Sequence, residues 1–280
     1  HPLTARVMTN RIWKHHFGRG IVRTLGNFGT AGASPTHPAL LDWMAVEFMR
    51  RGWSIKAMHR LMMFSNTYRQ SSQLVSDRLA ADPDNNLFSR MPLQRMEAEV
   101  LRDSILSLAD QLDETPFGPP DDVDARKDGL VRSKRASRGW RRSIYVLQRR
   151  TQIPTLLESF DFPQMGPNCL ERGQSIVSPQ ALHMLNDALV HQWSGQFTER
   201  VCSDSGDDRQ AQITRIHLLA FGRPPSDEEQ AAAARMLDAL TQEWQRELGE
   251  QAGIEQQAKH RALANYCHAV INSSAFLFVE

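Results

Sequence analysis

From residue 3 to residue 17, apolar side chains recur four apart, as Leu3/Val7, Met8/Ile12 and Trp13/Phe17, and the rhythm stops at Gly18 and Gly20. That spacing stacks each pair on one face of a helix, and a glycine just past the last apolar residue is a common helix stop. The same rhythm governs most of the chain. "THPALLDWMAVEFMRRG" sets Leu40/Leu41, Met44 and Phe48 on one face, with Thr36 as the expected cap, Pro38 in the first turn and Arg50 and Arg51 in the last. Ser54 opens "SIKAMHRLMMFS", and a further helix is predicted from about Pro92, with Leu93, Met96, Val100, Leu108 and Leu112 on its apolar side. The last third reads as helix throughout, including a capping box from Ser226 to Glu229 and a final helix around residues 257–273. Alternating βα units and internal repeats are absent. The expected fold class is therefore mainly α, a multi-helix globular bundle with one or two minor β-strands.

The stretches without this rhythm are as informative. Residues 23–35 are rich in Gly, Ser and Pro and read as a loop. Residues 113–139, containing "TPFGPPDDVDARKDG", are long for a structureless connection. "RRSIYVLQ" reads as the best strand, because Ile144, Tyr145 and Val146 are β-branched or aromatic. "IPTLLESF" reads as a short helix, and an irregular run leads from Asp161 to a helix opened by Ser178–Pro179. The domain expectation is one mostly helical domain over 1–280. Any subdivision falls near 113–139, leaving N-terminal helices in 1–112 and a strand plus helices in 140–280.

Apolar residues make up 41% and charged residues 23%, ordinary values for a globular protein. No apolar run approaches the ~18 residues that cross a bilayer. The N-terminus shows neither an initiator Met nor an apolar leader, which points to a piece of a longer chain. Cys169, Cys202 and Cys267 form no C-x-x-C pair and are expected to be buried, inert thiols.

The net charge of +1 conceals blocks of one sign. Residues 1–41 hold five Lys or Arg and no acid, residues 126–150 hold ten against Asp128 alone, and residues 204–255 hold eleven acids against five bases. Such asymmetry attracts anionic ligands or docks surfaces together. The second block includes Trp140, which would suit a stacked base, yet no nucleic-acid motif accompanies it and the pI is near 8.0. Nucleic acid is accordingly disfavoured as a partner.

Three constellations could carry chemistry. His15 and His16 are adjacent, so their side chains diverge by about 100° on a helix and no metal site is expected of them. Cys169 has Asp161 upstream and His183 downstream, an incomplete nucleophile arrangement with Arg172 as its cationic neighbour. In "NRIWKHHFGRG", Arg11, Lys14 and Arg19 could hold a carboxylate or sulfate while Trp13 offers its face to a sugar. The plainer reading of that stretch is a helix whose cationic end complements its own dipole.

Several segments together resemble one family, the planctomycete-type domain of unknown function 1553. They are "HPLTARVMTNRIWKHHFGRGIV" (1–22), residues 35–72, residues 82–106, "RRSIYVLQRR" (141–150), "FDFPQMGPNCLERGQSIVSPQALHMLND" (160–187), "AFGRPPSDEEQ" (220–230) and "VINSSAFLFVE" (270–280). The family's usual first residue is Asn, where this chain has His1. The resemblance implies the C-terminal part of a large exported protein, often linked to a cytochrome-c-like domain. It implies an extracytoplasmic setting, neighbouring domains of the parent chain as partners, and no cofactor in this segment, any haem belonging to a separate domain. It supplies no catalytic residues. Its motif positions here are Asn10, Arg11, Trp13, Gly18, Arg19, Gly20, Tyr68, Arg69, Asp161, Cys169, Arg172, Gln180, Asn186 and Asp187.

The functional expectation is an accessory domain that binds a ligand, anionic carbohydrate among the classes weighed, or docks on its neighbours. The rival is an extracytoplasmic enzyme acting on polysaccharide or another anionic substrate, with Glu158, Asp161 and Glu171 as its acids.

Overall fold

The computed structural model describes every residue except 164, 165, 167, 168, 250–252 and 280. The chain forms two compact units, His1–Gln94 and Arg95–Val279, so the division lies ahead of residues 113–139, which fall inside the second unit. Both are helical, and the strands among the described residues are two or three residues long. None of the described helices is long and apolar enough to cross a membrane.

Unit 1 contains α1 (Pro2–Phe17), α2 (Pro38–Arg50), α3 (Ile55–Met63) and α4 (Ser76–Ala81). Its core joins Ile12, Trp13 and Phe17 of α1 to Met44 and Phe48 of α2 and Met58 and Met62 of α3. Gly18 ends α1 in the left-handed region at φ 72°, as the glycine stop predicts. Beyond it, Asn10 is wholly buried and binds the returning chain twice, donating to the Val22 carbonyl and accepting from the Val22 amide, both at 2.9 Å. A Cβ on Gly20 would lie 2.6 Å from the Val22 oxygen and 2.7 Å from the Asn10 amide, so this close approach admits only glycine. The motif is thus a helix end and its lock.

α2 ends in a Schellman motif. Gly52 N–H donates to Met49 O at 3.0 Å, Trp53 N–H donates to Phe48 O at 2.9 Å, and the Phe48 and Trp53 rings meet edge to face at 5.1 Å. The cap at the start of α2 is His37 rather than Thr36.

Unit 2 contains α5 (Ala98–Leu108), α6 (Thr155–Ser159), α7 (Ser178–Asn186), α8 (Ala188–Ser205), α9 (Arg209–Phe221), α10 (Asp227–Leu248), α11 (Ile254–Ile271) and α12 (Ser274–Leu277). Leu101, Ile105, Leu157, Phe197, Ile213 and Cys267 lie at the centre of its core. The helix predicted from Pro92 starts only at Ala98; Gln94–Arg95 is extended and Glu97 caps the helix.

The predicted strand "SIYV" is instead a 3-10 turn, Ser143–Tyr145. Its β-propensity is overruled by hydrogen bonds to α5: the carboxylate of Asp103 accepts from Ser143 N–H and from Ser143 Oγ. Arg102, 2% exposed, donates to Arg141 O, Ser143 Oγ and Ser133 Oγ. A buried guanidinium so satisfied ties the irregular segment to α5. Within that segment Val123–Ala125 and Val131–Ser133 form an antiparallel hairpin, and Leu112–Asp113 pairs in parallel with Trp140–Arg141. Trp140 is buried against Trp193, so its face is closed to a base, and Arg132 and Lys134 of the basic block are ion-paired.

Candidate functional site

The motif segment of unit 2 is organised by one carboxylate. Where α6 ends, Phe160 turns into the core and Asp161 adopts φ 62°, a left-handed conformation that costs a non-glycine residue energy. What holds it there is a full set of partners. Arg95, its side chain 5% exposed, ion-pairs with Asp161 Oδ2 at 2.5 Å and lies over the Phe160 ring at 5.1 Å. Ser175 donates its amide to Oδ2 and its hydroxyl to Oδ1, both at 2.8 Å. Gln180, buried on α7, donates to Ser175 Oγ at 3.1 Å and reaches Asp161 Oδ2 at 3.4 Å. Partial burial pushes the Asp161 carboxyl up, but the Ser175 bonds, Arg95 and Gln180 outweigh it and hold its pKa below the usual carboxylate range. Burial also presses on Arg95, whose guanidinium nevertheless keeps its charge.

α7, which carries Gln180, is fixed at its other end. His268 and His191 donate Nε2–H to the carbonyls of Met184 and Leu185, at 3.0 and 2.8 Å. A carbonyl can only accept, so these bonds set both tautomers. Asp187 then caps α8, accepting from Leu189 N–H at 2.7 Å, and pairs with Arg132 at 2.8 Å. Asn186 ends α7 with its side chain exposed.

Beside the Asp161 lock lies an open cleft of about 760 Å³. Glu158, Glu171, Arg150, Arg172, Phe162 and Cys169 line it together with Asp161. Arg172 is held by a bidentate pair with Glu99 at 2.6 and 2.9 Å and by Glu97 at 3.1 Å. Its pKa is raised, first by the Glu99 hydrogen bond, against the opposing effect of burial. Glu158 and Glu171 have no ion pair among the described residues and face the cleft as hydrogen-bond acceptors. Residues 164, 165, 167 and 168 of the same motif lie outside the described residues.

Cys169 is exposed, and its thiol donates to Glu171 O at 3.4 Å, so the expectation of three buried thiols fails here. Only Cys267 is fully buried, and burial pushes its thiol up to about 12. His183 is absent from the cleft lining and interacts instead with Asp187 and Arg132, which separates it from the nucleophile arrangement suggested by sequence. Its pKa is lowered, by burial first.

The motif residues of unit 1 serve other ends. Trp13 is 5% exposed, stacked on Phe17 at 4.0 Å and met edge-on by Phe88 at 5.1 Å, so it offers no face to a sugar. Burial wins because the indole is the largest apolar group on the inner side of α1. Arg19 donates to the carbonyls of Asp84 and Asn85, Arg69 to Asn66, and Tyr68 packs edge-on against His16 and Phe17. Arg11 lies half-buried on α1. His15 and His16 do diverge, but His16 Nε2 meets His59 Nδ1 of α3 at 2.7 Å, a pairing that a one-dimensional reading could not reveal. Among the described residues no group of three His, Cys, Asp or Glu is placed to hold a metal ion.

Arg95, Ser175, Glu97 and Glu99 were not signalled by motif spacing. Arg95 falls inside the helix predicted from Pro92, off its apolar side, so nothing in the pattern set it apart. No curated protein and no solved structure matches the chain. The family model described as a protein of unknown function, DUF1553 (PSD1), matches residues 1–237, and the chain belongs to that family.

Proposed function

We propose that the chain is a ligand-binding accessory module of an exported, redox-associated multidomain protein, and that the unit 2 cleft is its ligand site. The observation that carries this reading is the Asp161 lock. Four groups from three parts of the chain hold one strained residue, and that residue is itself part of the cleft lining. Backbone strain kept in place by surrounding structure is typical of preorganised sites. The ligand class that suits the lining is hydroxyl-rich carbohydrate. Glu158 and Glu171 accept from hydroxyls, Phe162 gives an apolar contact, and the charges of Arg150 and Arg172 offset the two carboxylates in the lining. The two carboxylates favour a sparsely charged chain over a dense polyanion.

The exported setting, the extracytoplasmic location, the cytochrome-c-like neighbour and docking on other domains of the parent chain rest on the family resemblance. Any haem would then belong to one of those other domains. The test is an array of neutral and acidic oligosaccharides probed with the wild-type chain and with Glu158→Gln/Glu171→Gln. Selective binding that weakens at least tenfold in the double variant supports the reading, and an array without signal contradicts it.

A second reading is favoured by the same two carboxyls. Two cleft carboxyls with no ion pair among the described residues are the minimum for glycoside hydrolysis, which needs an acid and a base or nucleophile. Asp161 is excluded from that role because its oxygens are already engaged. Release of reducing sugar from a bound polysaccharide, abolished by either single Glu→Gln change, would establish hydrolysis over binding alone.

A further inference from the structure

Unit 1 carries an outward face that neither its core nor the family motif explains. In α2, Leu41, Met44, Ala45 and Phe48 point into the core. The opposite side presents Trp43, Val46 and Arg50, spaced i, i+3 and i+7, with Met49 beside them. α3 buries Met58 and Met62 and leaves Ile55, Lys56, Arg60 and Met63 outside, and Phe64 follows at 75% exposed. Trp43 and Trp53 are each about half exposed, at 48% and 47%. Seven large apolar side chains in 22 consecutive residues are thus at least 40% exposed.

The charges between them are mostly cationic. From Trp43 to Phe64 the cations are Arg50, Arg51, Lys56 and Arg60, against the single acid Glu47, which pairs with both Arg50 and Arg51. Lys56 and Arg60, one turn apart on α3, have no ion pair among the described residues. The whole of unit 1 holds twelve Lys or Arg against five Asp or Glu. Its field attracts an anionic partner.

We infer that the α2–α3 face docks on an anionic lipid surface. Tryptophans and aliphatic side chains interleaved with Lys and Arg are the composition of segments that lie in a headgroup interface. The indoles would sit at headgroup level while Lys56 and Arg60 meet lipid phosphates. A polysaccharide would use the two indole faces but leave Val46, Met49, Ile55 and Met63 unexplained. The inference is independent of the unit 2 cleft, and either can fail alone.

Flotation of the full chain with vesicles of phosphatidylglycerol and phosphatidylcholine tests it, with pure phosphatidylcholine vesicles as the comparison. Binding to the anionic vesicles, weakening as salt rises and accompanied by a blue shift of tryptophan fluorescence, is the expected result. Lys56→Gln/Arg60→Gln should weaken it roughly 30-fold and Trp43→Ser roughly tenfold. These side chains are exposed, so circular dichroism should match wild type, and Phe64→Ser provides a second apolar probe. Absence of vesicle binding at low salt overturns the inference, as does equal binding to neutral vesicles or full binding by the variants. Self-association or capture of a dense polyanion without vesicle binding would assign the face to those partners instead.

Discussion

The two units treat their motif residues in opposite ways. In unit 1, Asn10, Trp13 and Gly20 turn inward, and the quoted stretch is a helix end locked to its return loop. In unit 2, Asp161 and Gln180 are also fastened, but what they fasten is the wall of an open cleft. A recurring residue type thus reports a fixed geometry in both places. Only the surroundings decide whether that geometry is the end product or the support of a site.

The largest expected effect separates these roles at the core of unit 1. Trp13→Ala removes a buried, stacked indole and should cost about 3–5 kcal/mol in equilibrium denaturation. A loss under 1 kcal/mol would mean that Trp13 is not the packing residue described, and the contrast between the units would collapse.

The next effect breaks the lock in unit 2. Asp161→Asn keeps the shape but removes the charge facing Arg95, and should cost about 1–3 kcal/mol. Hydrogen exchange at the Ser175 amide, which donates to this carboxylate, reads the loss locally. The acid response follows from the lowered pKa of Asp161. Its contribution is complete above the unfolded value of about 3.9 and is lost as pH falls through the lower folded value. Wild-type protection at Ser175 should therefore survive to below pH ~4 and collapse in stronger acid, a step that Asp161→Asn should lack.

The smallest effect belongs to the imidazole pair of unit 1. Burial first, then His59 and His15, lower the pKa of His16, so its folded form favours the neutral ring. Stability from this site is present above pH ~6.5 and declines on acidification. An NMR titration should find His16 ionising below the ordinary histidine range. His16→Asn should flatten the acid limb of unit 1 stability without altering ligand binding in the cleft.

What the sequence made legible divides along the same line. Helices with a repeating apolar face were readable, because burial of one face is a local, periodic signal: α1 with its Gly18 stop, α3 from Ser54, and the Ser226 box of α10 all follow. The segment 141–146 was not, since Asp103 and Arg102 act on it from forty residues away and override the strand propensity of Ile144 and Val146. The exposure of Trp43 was hidden, because an indole is at home on either side of a helix, whereas the Trp13/Phe17 spacing had already placed Trp13 on the apolar face of α1. In the cleft, the sequence pointed to Asp161, Cys169, Arg172 and their acidic neighbours. It gave no hint of Arg95 or Glu99, whose contribution is to hold others in place across more than sixty residues.

The central claim is that the fixed geometry of unit 2 serves ligand binding at the Glu158–Glu171 cleft. The most direct measurement is the affinity of the strongest oligosaccharide on the array for three proteins, the wild type, Glu158→Gln/Glu171→Gln and Trp43→Ser, by isothermal titration. The account predicts at least a tenfold loss in the double variant and wild-type affinity in Trp43→Ser, with ligand protecting Cys169 from alkylation. Equal affinity in all three proteins, with Cys169 reacting as fast as before, would contradict it.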